Sequence, residues 1–133
     1  MKIIHMFAIV ALPLVGACTT SSMTMGSMTT GEITALYADT TNLSNDKSSS
    51  NYYGADGLFK STKLETGIAT EGKWYAKEPD QICVHVNEER CWSMSKSGSS
   101  VSFTGSNGQT GSRSVDEYLP GDQTAELMAA AGQ

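Results

Sequence analysis

Gln81-Ile82-Cys83-Val84-His85-Val86, then Asn87-Glu88-Glu89, then Arg90-Cys91-Trp92-Ser93-Met94, is the stretch that decides the fold. Two runs of β-forming residues flank a short polar connection, which predicts two antiparallel strands joined as a hairpin. Residues two apart share a strand face, so Cys83 and His85 lie together. Upstream, Tyr52-Tyr53 leads into Gly54-Ala55-Asp56-Gly57 and on to Leu58-Phe59-Lys60, a strand, a Gly/Asp turn and a strand. Asp56 is placed to bond its own backbone in that turn. Ile68 to Tyr75 holds a further strand, where Gly72 and Trp74 share a face and the indole has room over the glycine. Pro79-Asp80 is a turn, and Val101 to Thr104 is another strand.

The fold class that follows is mainly β. About five or six short strands form a small antiparallel meander or partly open barrel, with a short N-terminal helix. The helix is expected from Thr29 and Glu32, spaced as a capping box, followed by Ile33, Leu36 and Tyr37 at helical spacing. Thr40-Thr41-Asn42 ends the helical pattern, and Asn45 to Ser50 reads as a polar loop. Ser106 to Ser114 is loop-like, and residues up to Asp122 carry no clear pattern. Thr124 to Ala131 suits a terminal helix with Asp122 as its cap.

The N-terminus sets the expected location. Lys2 precedes an almost unbroken apolar run, Ile3 to Val15, interrupted by His5 and Pro13. Its length is that of a secretory signal core and short for a membrane span. Val15-Gly16-Ala17-Cys18 follows directly and resembles the bacterial lipobox. Small residues let the extended chain enter a peptidase site, and the Cys18 thiol is the nucleophile that takes up diacylglycerol. Two or three acyl chains hold a protein on a membrane far better than one. Ordinary signal cleavage at the small pair, with Cys18 incidental, is the alternative. Thr19, where a retention signal would place aspartate, favours the outer membrane, facing the periplasm.

The expected organisation is residues 1–17 as signal peptide, 18–31 as lipidated Cys18 and flexible tether, 32–122 as the β domain and 123–133 as a C-terminal tail with helical pattern. The segment Thr19 to Gly31 is rich in Ser and Thr and carries no aromatic residue, which suits a spacer. Met23, Met25 and Met28 offer soft thioether ligands for copper(I), but no further His or Cys completes a site.

Charge restricts the partners. The chain carries 9 Lys+Arg against 14 Asp+Glu, a net charge of −5. Loss of Lys2 with the signal leaves −6. An acidic body argues against nucleic acid, whose phosphates need clustered cations, and against electrostatic docking on anionic lipid. The expected partners are therefore the membrane, through lipid on Cys18, and an envelope protein, polymer or small ligand.

With Cys18 acylated, Cys83 and Cys91 remain on neighbouring strands of one hairpin, and in an oxidising compartment a disulfide is the default. A redox pair or a Cys83-His85-Cys91 metal site is the alternative, although neither C-x-x-C nor C-x-x-C-H spacing is present. His85 is the single histidine after the signal and would have to serve as the base of any serine-type hydrolase. No G-x-S-x-G elbow and no phosphate-binding loop occurs. Glu88-Glu89 and Asp116-Glu117 are adjacent carboxylates for which solvation is the simpler account. No motif calls for a cofactor or metal, and the chain reads as a non-enzymatic binding or structural protein. A small periplasmic hydrolase or metal-dependent enzyme using His85, or an exported enzyme inhibitor, is the alternative.

The order of Tyr52 to Gly57, Gly72-Lys73-Trp74, Ile82-Cys83-Val84 and Arg90-Cys91-Trp92 resembles a family of small exported proteins, mostly from alphaproteobacteria. They share an aromatic-x-Ala/Pro-Asp-Gly turn, a Gly-x-Trp strand and a Cys followed later by Cys-Trp. The likeness covers about residues 30 to 104 and leaves Gly105 to Gln133 outside. It implies a compact β fold with a disulfide, supplies no activity, and makes Trp74 and Trp92 core residues. Their alternative role is an aromatic platform for a ligand.

Overall fold

In the computed structural model, residues 26–132 are described. The expected signal segment, Cys18, Met23 and Met25 lie outside the described residues. Antiparallel pairing dominates. The strands are β1 (Gly26–Ser27), β2 (Thr40–Leu43), β3 (Ser49–Tyr53), β4 (Leu58–Lys63), β5 (Ala69–Lys77), β6 (Gln81–His85), β7 (Glu89–Ser97), β8 (Ser100–Gly105), β9 (Thr110–Ser114) and β10 (Leu119–Pro120). From β2 to β9 each strand pairs with the next, β10 returns beside β2, and β1 adds to β7. The sheet curls into a half-barrel. Among the described residues it has ten strands rather than five or six.

The additional strands escaped the pattern for identifiable reasons. Thr40–Leu43 reads as a helix end, yet it is β2, and its inward residue at the pairing with Asn51 is the polar Asn42. Thr110–Ser114 reads as loop, yet it is β9, with Gly111 and Arg113 where a core strand would carry apolar side chains. Gly26–Ser27, read as tether, pairs with Lys96 and Ser95. Met28 beside it is 3% exposed, so it is a core residue and not a tether ligand. Residues 26–31, expected as part of a tether, therefore belong to the folded domain.

Helix α1 (Thr30–Tyr37) is capped as its sequence suggests: the Glu32 amide donates to the Thr29 hydroxyl and the Thr29 amide to the Glu32 carboxylate. A second helix, α2 (Thr124–Ala130), lies at the C-terminal end, so helix is not confined to the N-terminal side. The N-cap of α2 is Gln123, although Asp122 accepts from the Thr124 amide at 3.1 Å. A 3-10 turn at Val115–Glu117 links β9 to β10.

In a meander, alternate turns lie at opposite ends. One end carries the turns after β3, β5 and β7, and α1 plugs it. Thr30 of α1 donates to Glu78 in the β5–β6 turn, and Ile33 and Tyr37 are buried. Ile33 has no exposed surface. Tyr37 packs edge-on against Tyr53 and Tyr118, with ring centroids 4.7 and 5.0 Å away. The inner face continues through Phe59, Trp74, Ile82, Val84, Met94 and Phe103. On the outer face α2 packs through Thr124, whose hydroxyl meets that of Ser50 at 3.1 Å.

Candidate functional site

Across the other end, formed by the turns after β2, β4, β6 and β8, no helix lies among the described residues. A cavity of about 620 Å³ runs from there into the half-barrel. That volume lies within the range that encloses a small ligand. Two unlike walls enclose it. Strands β6, β7 and β8 contribute Ile82, Val84, Trp92, Met94 and Phe103. Asn45, Asn51 and Tyr53 form the opposite wall, Arg113 of β9 stands between the two beside Phe103, and Asn87, Glu88 and Arg90 sit at the mouth.

Close approaches shape the apolar wall. A Cβ on Gly72 would overlap the His85 carbonyl. The space beside Gly72 is thus taken by the backbone of His85 and Val86, not by the Trp74 indole as the spacing suggested. The last residues of the β6 track thereby bend inward, and Val86 joins the cavity lining. The aromatic-on-glycine arrangement occurs elsewhere. The Trp92 ring lies against Gly105, its cross-strand partner, and the Phe103 ring lies against Gly111.

Arg113 organises the polar wall. Its Nη2 donates to the Leu43 carbonyl at 2.9 Å and to Asn45 Oδ1 at 3.2 Å, and its guanidinium lies 5.0 Å from the Phe103 ring centre. Burial, above all, raises the Tyr37 pKa well above its ordinary value and pushes Tyr53 up to about 12, while Arg113 acts against both shifts. Tyr118 is raised by burial and lowered by its hydrogen bond to Tyr37 and by Arg113. The guanidinium therefore stands near three phenol groups inside the barrel. Asn42 has no exposed surface, and neither of its amide atoms reaches a hydrogen-bond partner, although it lies close enough to Tyr53 to act weakly against that group's rise.

The two tryptophans have different positions. Trp74 is 6% exposed, and its Nε1 donates to the Gly54 carbonyl at 2.7 Å, so it is a core residue. Trp92 is half-buried and lines the cavity. Arg113, Asn45 and Asn42 were not singled out by sequence. Arg113 stands in a Gly/Ser-rich stretch, and only the topology brings it to β2.

Cys83 and Cys91 are paired across β6 and β7 and joined in a disulfide with Cα atoms 4.1 Å apart. Cys83 has no exposed surface and faces outward from the cavity. Glu89 lies near both sulfurs, but disulfide sulfurs are not thiolate ligands. The Glu89 carboxylate instead accepts from the Tyr75 hydroxyl and pairs with Lys77 at 3.3 Å. His85 is exposed on this outer face, opposite Lys73 and Glu89, and does not line the cavity. Among the described residues, no hydroxyl or carboxylate is hydrogen-bonded to it, so the arrangement a His85-based triad requires is not assembled here. No helix among the described residues is long and apolar enough to cross a membrane. No protein family, curated protein or solved structure matches the chain.

Proposed function

We propose that this chain is an envelope lipoprotein, anchored through acyl chains on Cys18, whose half-barrel binds a small ligand in its cavity without catalysing a reaction. The anchor rests on Val15-Gly16-Ala17-Cys18 after an apolar signal core. The binding role rests on one observation: a cavity of about 620 Å³, lined by Trp92 and open at the end away from α1. An eight-strand meander is about the size that can hold one small ligand. The likeness to small exported proteins belongs to the same proposal, supported by the order of their shared motifs in this sequence.

Geometry connects anchor and cavity. Strand β1 joins β7 at Lys96, beside the β7–β8 turn and therefore at the end plugged by α1. The link from Cys18 to Gly26 reaches at most about 29 Å. An acylated Cys18 would thus attach to the domain at its plugged end, opposite the mouth.

The test is fractionation of cells expressing Cys18→Ser. The variant is expected to leave the membrane fraction while its domain keeps the circular dichroism and Tm of the parent. Retention in the membrane would overturn the anchor. Binding is tested on the same released chain: a panel of apolar small molecules should shift Trp92 fluorescence saturably, and a Trp92→Phe variant should lose that response. A panel with no saturable binder would overturn the binding role.

A further inference from the structure

The cavity's charge and wall chemistry narrow the ligand. Its charged lining residues are Arg90, Arg113 and Glu88. Arg90 is matched, since its Nη2 lies 3.2 Å from the Glu88 carboxylate. Arg113 is not: among the described residues no carboxylate comes within salt-bridge distance of it. Asp116 and Glu117 line a neighbouring cleft that also includes Arg113 and Asn45, and Glu117 is engaged by the Ser114 amide at 2.8 Å. A protein of net charge −5 thus places an unmatched cation inside its cavity.

That guanidinium is only partly occupied. Nη2 serves Leu43 and Asn45, and the Tyr118 hydroxyl lies close enough to the guanidinium for a hydrogen bond from it to lower the Tyr118 pKa. Arginine carries five N–H donors, so donors remain for a ligand. On the same wall Asn42 is buried, with both amide atoms unpartnered. It shares the inward strand face with its partner Asn51, which lines the cavity, while Asn42 itself lies beneath that lining. Phe103 adjoins the guanidinium, and Trp92 and Met94 continue the apolar surface along β7.

We propose that the cavity binds an apolar monocarboxylic acid, with its carboxylate at Arg113 and Asn45 and its hydrocarbon part against Trp92, Met94 and Phe103. This rests on the binding role above and specifies its ligand. A single negative charge matches the one unpaired cation. A dianion such as a phosphate monoester would bring a second charge into a half-buried site whose other arginine is already neutralised.

The experiment compares decanoate with decanol on the released Cys18→Ser chain, by calorimetry and Trp92 fluorescence. The two probes share a chain and differ in the charge. Decanoate is expected to bind one per chain, about tenfold or more tighter than decanol, as a charge-assisted hydrogen bond implies. Arg113→Gln should lower decanoate affinity to that of decanol while decanol binding stays unchanged. Equal binding of both probes to the parent chain overturns the carboxylate inference and leaves the cavity as a binding site. Failure of both to bind overturns the inference and the binding role together. Should Arg113→Gln not fold, the comparison on the parent chain still decides, as does the shift of the Arg113 Nε resonance on adding decanoate. A resonance that does not move counts against the proposal.

Discussion

Arg113 Nη2 donates to the backbone carbonyl of Leu43 at 2.9 Å, across the seam that separates the last consecutive strand of the half-barrel from the second. The two residues are 70 positions apart. The carbonyl lies at the end of β2, beyond the short pairing of β2 with β10 at Thr40 and Thr41. The side chain thus substitutes for the missing strand pairing at the open seam. Arg113→Met keeps the hydrophobic stem and removes the donors. It is expected to lower stability by about 1.5–3 kcal/mol, the value of a hydrogen bond to a charged group. Amide exchange in β9 and β2 should rise with it. An unchanged unfolding midpoint with unchanged exchange would show that the seam does not depend on this contact.

The disulfide joins directly opposed residues of β6 and β7 with a separation of 8 positions. Such a loop is short, and the chain-entropy model assigns it about 2–3 kcal/mol. Unfolding by denaturant with and without reductant is therefore expected to show a loss of that size, and Cys83→Ala/Cys91→Ala should match the reduced protein. Since Cys83 is fully buried on the face away from the cavity, the double variant should keep its ligand affinity. A loss of binding in a folded double variant would contradict that separation of faces.

The central hairpins were legible because their strands alternate between an apolar cavity face and an exterior that holds Cys83, Tyr75 and His85. The capping box at Thr29 and Glu32 fixed the start of α1 for a similarly local reason. The strands that complete the curl carry no such signal. β2 turns Asn42 inward, and β9 turns Gly111 and Arg113 inward, because a neighbouring aromatic ring or a cavity stands where a core side chain would be. The half-barrel's polar wall was invisible for the same reason: Arg113 and Asn45 are 68 positions apart, and only the return of β9 toward β2 brings them together. Trp92 was legible as an aromatic of interest, but its difference from Trp74 depends on which side of each strand faces the mouth.

That difference is measurable. Trp74→Phe removes a buried ring and its hydrogen bond to Gly54, and should cost about 3 kcal/mol or somewhat less, below the cost of full truncation. Trp92→Phe, at a half-buried wall, should cost less than half as much. Quencher accessibility should fall on the Trp92 signal alone, and a ligand in the cavity should protect it. Equal destabilisation by the two changes would place both rings in one core.

Gly72 stands opposite the His85 carbonyl with no room for a Cβ, and the atoms in the way are backbone. Gly72→Ala must move the end of the β6 track, and overpacking of this kind costs about 1–3 kcal/mol. Since Val86 would move with it, the cavity should widen at its mouth and ligand affinity should drop. Gly26→Ala is the control, because nothing lies within 4 Å of its added methyl group. A Gly72→Ala chain as stable as Gly26→Ala would mean that β6 does not bend over β5.

Asp46 sits in the turn between β2 and β3, next to Asn45 on the cavity wall. Its Oδ1 accepts from the Ser44 hydroxyl at 2.7 Å, the Ser48 hydroxyl at 2.6 Å and the Ser48 amide at 3.0 Å. The Ser48 hydroxyl bond, then that of Ser44, holds its pKa down from 3.8 to about 2. A carboxyl depressed in the folded state contributes stability that is whole above its unfolded value. That contribution fades as pH falls from about 4 toward about 2. The group is exposed, so the effect is local: acid should loosen this turn before the sheet unfolds. A carboxyl-carbon NMR titration should give an Asp46 midpoint near 2, with the Ser48 amide shifting in step. In Asp46→Asn the Ser48 shift should disappear and the turn should exchange faster at neutral pH. A midpoint in the ordinary aspartate range would mean that the two serines do not hold the carboxylate in solution.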